Sequence, residues 1–176
     1  MPERRTPIEA QQLSFAALAE AIAERGDSPP VDRWDPPHCG HSGMRITRDG
    51  QWFHDGRPIN RPAMVRLFST VLRRELDGSH VLVTPVEKLV IDVETTAFRA
   101  TQMTMEGEGR DRRIGLTLDS GDGLVVGPDH PLTIVDTPAG PSPRVAVRFG
   151  LEAELTRALY YELAEIALAE GHQPPG

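Results

Sequence analysis

The 176 residues are 39% hydrophobic and 26% charged, a balance that suits one folded domain or two small halves sharing a core and excludes a disordered chain. A net charge of −7 argues against a broad nucleic-acid-binding face, and a single cysteine, Cys39, rules out an internal disulfide, as in a reducing compartment. No run reaches the ~20 apolar residues of a membrane span, and the polar start MPERRTPIEAQQ lacks a signal-peptide core, so a cytoplasmic chain with no membrane and no nucleic-acid partner is expected.

In chain order, Ser14 can cap a helix running to about Arg25, where Gly26 stops it, with Phe15, Leu18 and Ile22 on one face. Asp27 to Gly43, with Pro29-Pro30 and Pro36-Pro37 around Trp34, reads as an extended connector pinned by the indole. Met44 to Leu76 is the best-patterned stretch: strand, turn at Asp49-Gly50, strand, turn at Asp55-Gly56, then a helix. Met64, Leu67, Phe68, Val71 and Leu72 fall on one helical stripe. Asn60 can cap its start, Pro62 fits its first turn, Arg73 and Arg74 suit its last turn, and Asp77-Gly78 follows it.

Three strand-like runs follow: Val81 to Thr84, the alternating Leu89 to Val93, and Phe98 to Met105. Thr84-Pro85-Val86-Glu87 has the form of a capping box and allows at most one helical turn. Later, Ile114 to Leu118, Leu124 to Val126, Leu132 to Val135 and Val145 to Phe149 read as strands, with Thr137 to Pro143 as a loop. A long helix is expected from Leu151 to Glu170. Leu155, Leu159, Leu163 and Ile166 form one stripe, and Tyr160, Tyr161, Ala164 and Leu168 form a second. That second stripe raises either a homodimer through this helix or burial on both sides within one molecule.

Residues 1–43 are thus an N-terminal helix with a proline-rich connector, 44–105 a first half and 106–176 a second, forming one compact unit. The expected fold is α+β: two related strand-plus-helix halves with antiparallel strands, plus the N-terminal helix. Met44 to Leu76 carries seven arginines against Asp49, Asp55 and Glu75, whereas Leu151 to Glu170 carries five glutamates against Arg157. Two solvated faces, an anion site on the first half, or attraction between the halves would each account for this asymmetry.

Asp49-Gly50-x-Trp52, Gly56 with Ile59 and Arg61, Leu67-Phe68-Ser69, Thr84-Pro85-Val86-Glu87-Lys88, and Arg148 with Leu151-Glu152-Ala153 together form a distinctive set. On these residues, from about Val31 to about Ala167, the chain resembles the bacterial family known as domain of unknown function 1285 (DUF1285). The resemblance implies a two-part α+β fold of repeated strand-and-helix units, no established activity, and a sensing or signalling role. The chain departs from the family pattern at His41-Ser42-Gly43 and at Thr96-Ala97.

His38, Cys39 and His41 offer three ligands where a structural zinc wants four in separated pairs, so no metal is expected. Gly121-x-Gly123-x-x-x-Gly127 enters a strand and cannot place a helix N-terminus on a phosphate, and no serine sits in a GxSxG elbow, so no cofactor and no nucleophile are expected. The polar candidates for a ligand site are Trp52, Arg57, Arg61, Glu87, Lys88, His130 and Arg148, each of which also has an ordinary structural use. The leading expectation is a non-catalytic regulatory or sensing module, in signal transduction, binding a small anionic ligand or a protein partner. The alternative is a small-molecule enzyme using Glu87, His130 and Arg148. A purely structural partner protein is a third reading.

Overall fold

Period-two burial dominates the chain in a computed structural model that describes residues 29–169. The helix expected over Ser14–Arg25 lies outside the described residues. The chain forms two units. The first runs to Ile46 and resumes over Gln51–Asp92, and the second comprises Thr47–Gly50 and the chain from Val93 onward.

The first unit holds β1 (His38–Ile46), β2 (Trp52–His54), β3 (Arg57–Pro58), α1 (Pro62–Ser69), β4 (Leu72–Arg74), β5 (His80–Val83) and β6 (Glu87–Val93), in sheet order β3-β2-β1-β6-β5-β4. The second holds β7 (Phe98–Glu106), β8 (Arg113–Leu118), β9 (Gly123–Val125), β10 (Leu132–Thr137), β11 (Gly140–Ala146), β12 (Glu152–Leu155) and α2 (Arg157–Ala169), in order β10-β11-β12-β7-β8-β9. The two orders are the same topology. Each unit is a pair of three-stranded meanders, with the first strand of the first meander beside the last strand of the second.

The expected α+β class with antiparallel strands is therefore corrected: these are six-stranded mixed sheets, and only two short helices occur among the described residues. At the centre of the second sheet β12 runs parallel to β7, with Ala153 opposite Phe98. The two-half repeat stands. The strand Phe98–Glu106, grouped with the first half from sequence, pairs with β8 and β12 in the second sheet.

The expected first helix shortens for a local reason. Ser69 and Thr70 turn their hydroxyls back onto the carbonyls of Arg66 and Leu67, at 2.7 Å each, competing with the helix ladder. Val71 then begins a new path, and Leu72–Arg74 pairs with His80–Leu82. Val71 and Leu72 are fully buried as predicted, but from outside the helix. Asp77-Gly78 is the turn between β4 and β5, and Arg61, not Asn60, occupies the cap position. The second expected helix also splits. Glu152–Leu155 is strand, and Arg157 opens the helix after Thr156, whose hydroxyl accepts from the Leu159 amide at 3.4 Å. Leu155 and Leu159 are buried, while Tyr161 and Leu168 lie exposed.

Both Asp-Gly turns form. Asp55 and Gly56 have φ of 49° and 81°, the positive pair that matches hairpin twist. Gly50 (φ 87°) is needed twice over, because a Cβ there would stand 2.8 Å from the Asp119 carboxylate. The loop expected over Thr137–Pro143 is instead a two-residue hairpin, with β11 starting at Gly140. β11 ends at Ala146, so Phe149 (φ 51°) belongs to the turn before β12.

The connector is held less by the Trp34 indole, which is half-buried, than by Val31, fully buried, and by Arg73. The Arg73 guanidinium donates to the carbonyls of Val31 and Trp34 at 2.6 Å each. His38, Cys39 and His41 lie on β1 and not in the connector loop. Strand alternation puts His38 on the opposite face from Cys39 and His41, and His41 sits 3.3 Å from Asp92.

Candidate functional site

Three of the first unit's five sequence candidates, Trp52, Glu87 and Lys88, have structural partners. Trp52 is buried and stacks on Phe68, ring centroids 6.4 Å apart. Lys88 bonds Glu75 at 3.0 Å, and Arg73 reaches the same carboxylate at 3.1 Å. Burial tends to raise the Glu75 carboxyl, but the two cations outweigh it and hold the group below its ordinary value. Glu75 in turn holds the Lys88 ammonium above its ordinary value. The Thr84 hydroxyl accepts from the amides of Val86 and Glu87, at 3.3 and 3.2 Å. This is the cap geometry the capping-box pattern implies, realised as a bend between β5 and β6. Arg57 and Arg61 are exposed on β3 and at the start of α1.

In the second unit, His130 turns its Nδ1 to the Ala146 carbonyl at 2.9 Å. Arg148 lies over the Phe98 ring at 5.3 Å and bonds Asp122 at 3.4 Å. The seven candidates therefore divide between the units, five in the first and two in the second, and none of them lines the cleft at the start of α2.

That cleft, of ≈750 Å³, is built entirely from residues of the second unit. One wall comes from Ala139, Pro141 and Pro143. Ala146 donates to Pro131, so alternation along the antiparallel β10–β11 ladder turns the backbone groups of residues 141, 143 and 145 toward β12. Val145 pairs with Ala153 there, which sets Pro143 against Leu155 and Pro141 against Arg157. A proline has no N–H to return a ladder bond. Pairing accordingly stops at Arg144, β12 ends, and the chain turns into α2, leaving an open concavity beside the unpaired end of β11.

The remaining lining is charged and aromatic. Arg48, Arg99 and Arg157 face Asp49, Glu94 and Glu154, with Tyr160 and Tyr161 beside them. The three carboxylates are already engaged. Glu94 accepts from the Arg48 amide at 3.2 Å. Glu154, buried, accepts from the Ser142 hydroxyl and lies 3.9 Å from the Arg48 guanidinium, and Asp49 accepts from Thr47. Arg99 donates to the Arg48 carbonyl at 3.1 Å. Behind this turn, burial pushes the Asp119 carboxyl above its usual range, against the opposing effect of the Arg99 amide that donates to it at 3.1 Å. Arg157 differs from the other two arginines: it is exposed at the first turn of α2, with no hydrogen-bond or ion-pair partner among the described residues.

No local pattern in the sequence joins this set, because its members come from a hairpin tip, strand ends, a proline hairpin and a helix start far apart in the chain. The signals the sequence does carry are the Pro141/Pro143 alternation, within the expected loop, and the tyrosine pair, within the expected second helical stripe. Among the described residues, no group of three metal-ligating side chains gathers, and no helix is long and apolar enough to cross a membrane.

Residues 29–96 match the family model "Domain of unknown function (DUF1285), N-terminal domain", and residues 97–175 match "Protein of unknown function (DUF1285), C-terminal domain". The junction between the models falls within a few residues of the division between the two units. The crystal structure of a DUF1285 family protein from Silicibacter pomeroyi DSS-3 is 44% identical, with a TM-score of 0.77 over 86% of this chain and 82% of that one. A DUF1285 family protein from Shewanella baltica OS155 shares the fold at 21% identity, with a TM-score of 0.55 over 70% of this chain and 91% of that one. No curated protein matches.

Proposed function

From the premise that this chain belongs to the DUF1285 family, we propose that it is a non-catalytic sensing module whose second unit binds a small organic anion in the cleft beside α2. One observation carries the reading: the Arg157 guanidinium, without a partner among the described residues, lines a ≈750 Å³ concavity together with Tyr160 and Tyr161. A guanidinium offers a planar fork of donors that fits a carboxylate or phosphate in two bonds, and tyrosine rings beside it bury the organic part of a ligand while keeping their hydroxyls available. The engaged carboxylates support a binding role over acid–base chemistry, since each is already committed as an acceptor.

The enzymatic alternative has less behind it. Glu87 belongs to the first unit and His130 and Arg148 to the second, and the latter two make contacts that hold turns in place. A role in signal transduction follows as the expectation for a module that binds without converting its ligand.

A thermal-shift screen of the full chain against small carboxylates and phosphates tests the reading. A true ligand raises the melting temperature with concentration by mass action, and Arg157→Ala abolishes that rise. A ligand whose shift survives Arg157→Ala binds elsewhere and removes the cleft from consideration.

A further inference from the structure

Edge strands expose backbone donors and acceptors, and natural sheets blunt them with shortness, proline or cations. Among the described residues the two sheets have four edges, and three of them follow that rule. β3 has two residues and ends on Pro58, β4 has three and carries Arg73 and Arg74, and β9 has three and opens on Gly123. β10 does not follow it. This edge strand runs six residues, Leu132-Thr133-Ile134-Val135-Asp136-Thr137, with no proline, lysine or arginine, and Val135 is exposed. The β10–β11 register assigns its backbone groups. The Pro131 carbonyl accepts from Ala146, and Thr133, Val135 and Thr137 exchange bonds with β11, so the N–H and C=O groups of Leu132, Ile134 and Asp136 point away from the sheet.

We propose that β10 is the contact edge of a homodimer, pairing antiparallel with β10 of a second copy about a two-fold axis at Ile134. The sequence of the edge selects this occupant and this register. Ile134 faces itself across the axis, and Leu132 faces Asp136 of the other copy, so every outward N–H on the strand meets an outward carbonyl. The only charged side chain, Asp136, is opposed by a leucine and stands away from its own symmetry mate, which avoids like-charge repulsion. Pro131 does not interrupt the pairing, because its missing N–H would have faced β11. A closed two-fold contact also consumes the edge completely, leaving no strand to propagate a fibre.

Sedimentation of the full chain over a range of concentrations, with Ile134→Pro as the variant, is the test. Ile134 makes no bond to β11 through its amide, so proline there deletes only the outward donor. The expected result is a reversible wild-type dimer of twice the chain's mass and a variant that is monomeric with an unchanged circular dichroism spectrum. Val135→Pro, whose amide serves Ser142 within the sheet, should unfold instead. A wild type that stays monomeric throughout overturns the proposal. So does a folded Ile134→Pro that still dimerises, which would move the contact to another surface such as the exposed Tyr161 and Leu168 side of α2. Should Ile134→Pro fail to fold, hydrogen exchange of the wild type decides: protection at Leu132, Ile134 and Asp136 that grows with concentration supports the pairing, and a dimer with those amides unprotected refutes it.

Discussion

The two units share one strand order yet use their charged residues in opposite ways. In the first, Arg73 holds the carbonyls of Val31 and Trp34, and Glu75 is shared between Arg73 and Lys88, so the ion pairs close the fold on itself. In the second, Arg48, Arg99, Arg157 and three carboxylates border an open cleft. The helix is the source of the difference. α1 is inserted between the two meanders and contributes Phe68 to the core, whereas α2 leaves from the end of the last strand, where two prolines have already halted the ladder. A repeated topology therefore fixes where strands lie without fixing where a site opens; an interrupted ladder and a helix departure do that.

The largest effect should come from the first unit's core. Phe68→Ala removes a 3% exposed ring stacked on Trp52 and should cost roughly 3–5 kcal/mol, measured by urea unfolding. An unchanged midpoint would mean that α1 is not what closes this unit.

Next is the claim that the first unit's charges are structural. Arg73→Met keeps the aliphatic stem but leaves two carbonyls without their donor and the Glu75 carboxylate with Lys88 alone. A loss of about 2–3 kcal/mol is expected from charge-assisted bonds of this kind. A loss near zero would make the first unit's ion pairs as dispensable as exposed ones and erase the contrast.

A pH titration sharpens the same contrast at His80. Burial, reinforced by Arg74, pushes its imidazole down to about 4 from an ordinary 6.5. The unfolded chain therefore takes up a proton that the folded chain refuses. Stability is full above about 6.5 and falls as the pH drops toward 4. His80→Gln should flatten that part of the stability profile, and an unchanged slope would assign the acid sensitivity to other groups.

The smallest stability effect belongs to the cleft. Arg157→Ala should change stability by no more than about 0.5 kcal/mol, because an exposed side chain without partners among the described residues contributes little. A larger loss would show that Arg157, like Arg73, works for the fold, and the two units would then not differ in kind.

Local chemistry was legible from the chain alone. The Asp49-Gly50 and Asp55-Gly56 turns, the alternation of Leu89 and Ile91, the cap-like hydrogen bonds of Thr84 and the burial of Phe68, Val71 and Leu72 all follow from residue types and short-range spacing. Family membership was legible too, in motifs spread from Asp49 to Ala153. Helix length was not. A stripe at i, i+3, i+4, i+7 and i+8 is met equally by a short helix with a buried strand before or after it, and only the pairing of Leu72 with Leu82, and of Ala153 with Phe98 and Val145, chose strand for the end of the first run and the start of the second. The cleft was beyond the sequence for a related reason. Arg48, Glu154 and Arg157 become neighbours only once β12 lies between β7 and β11, and the arginine left without a partner is defined by which of the others found one.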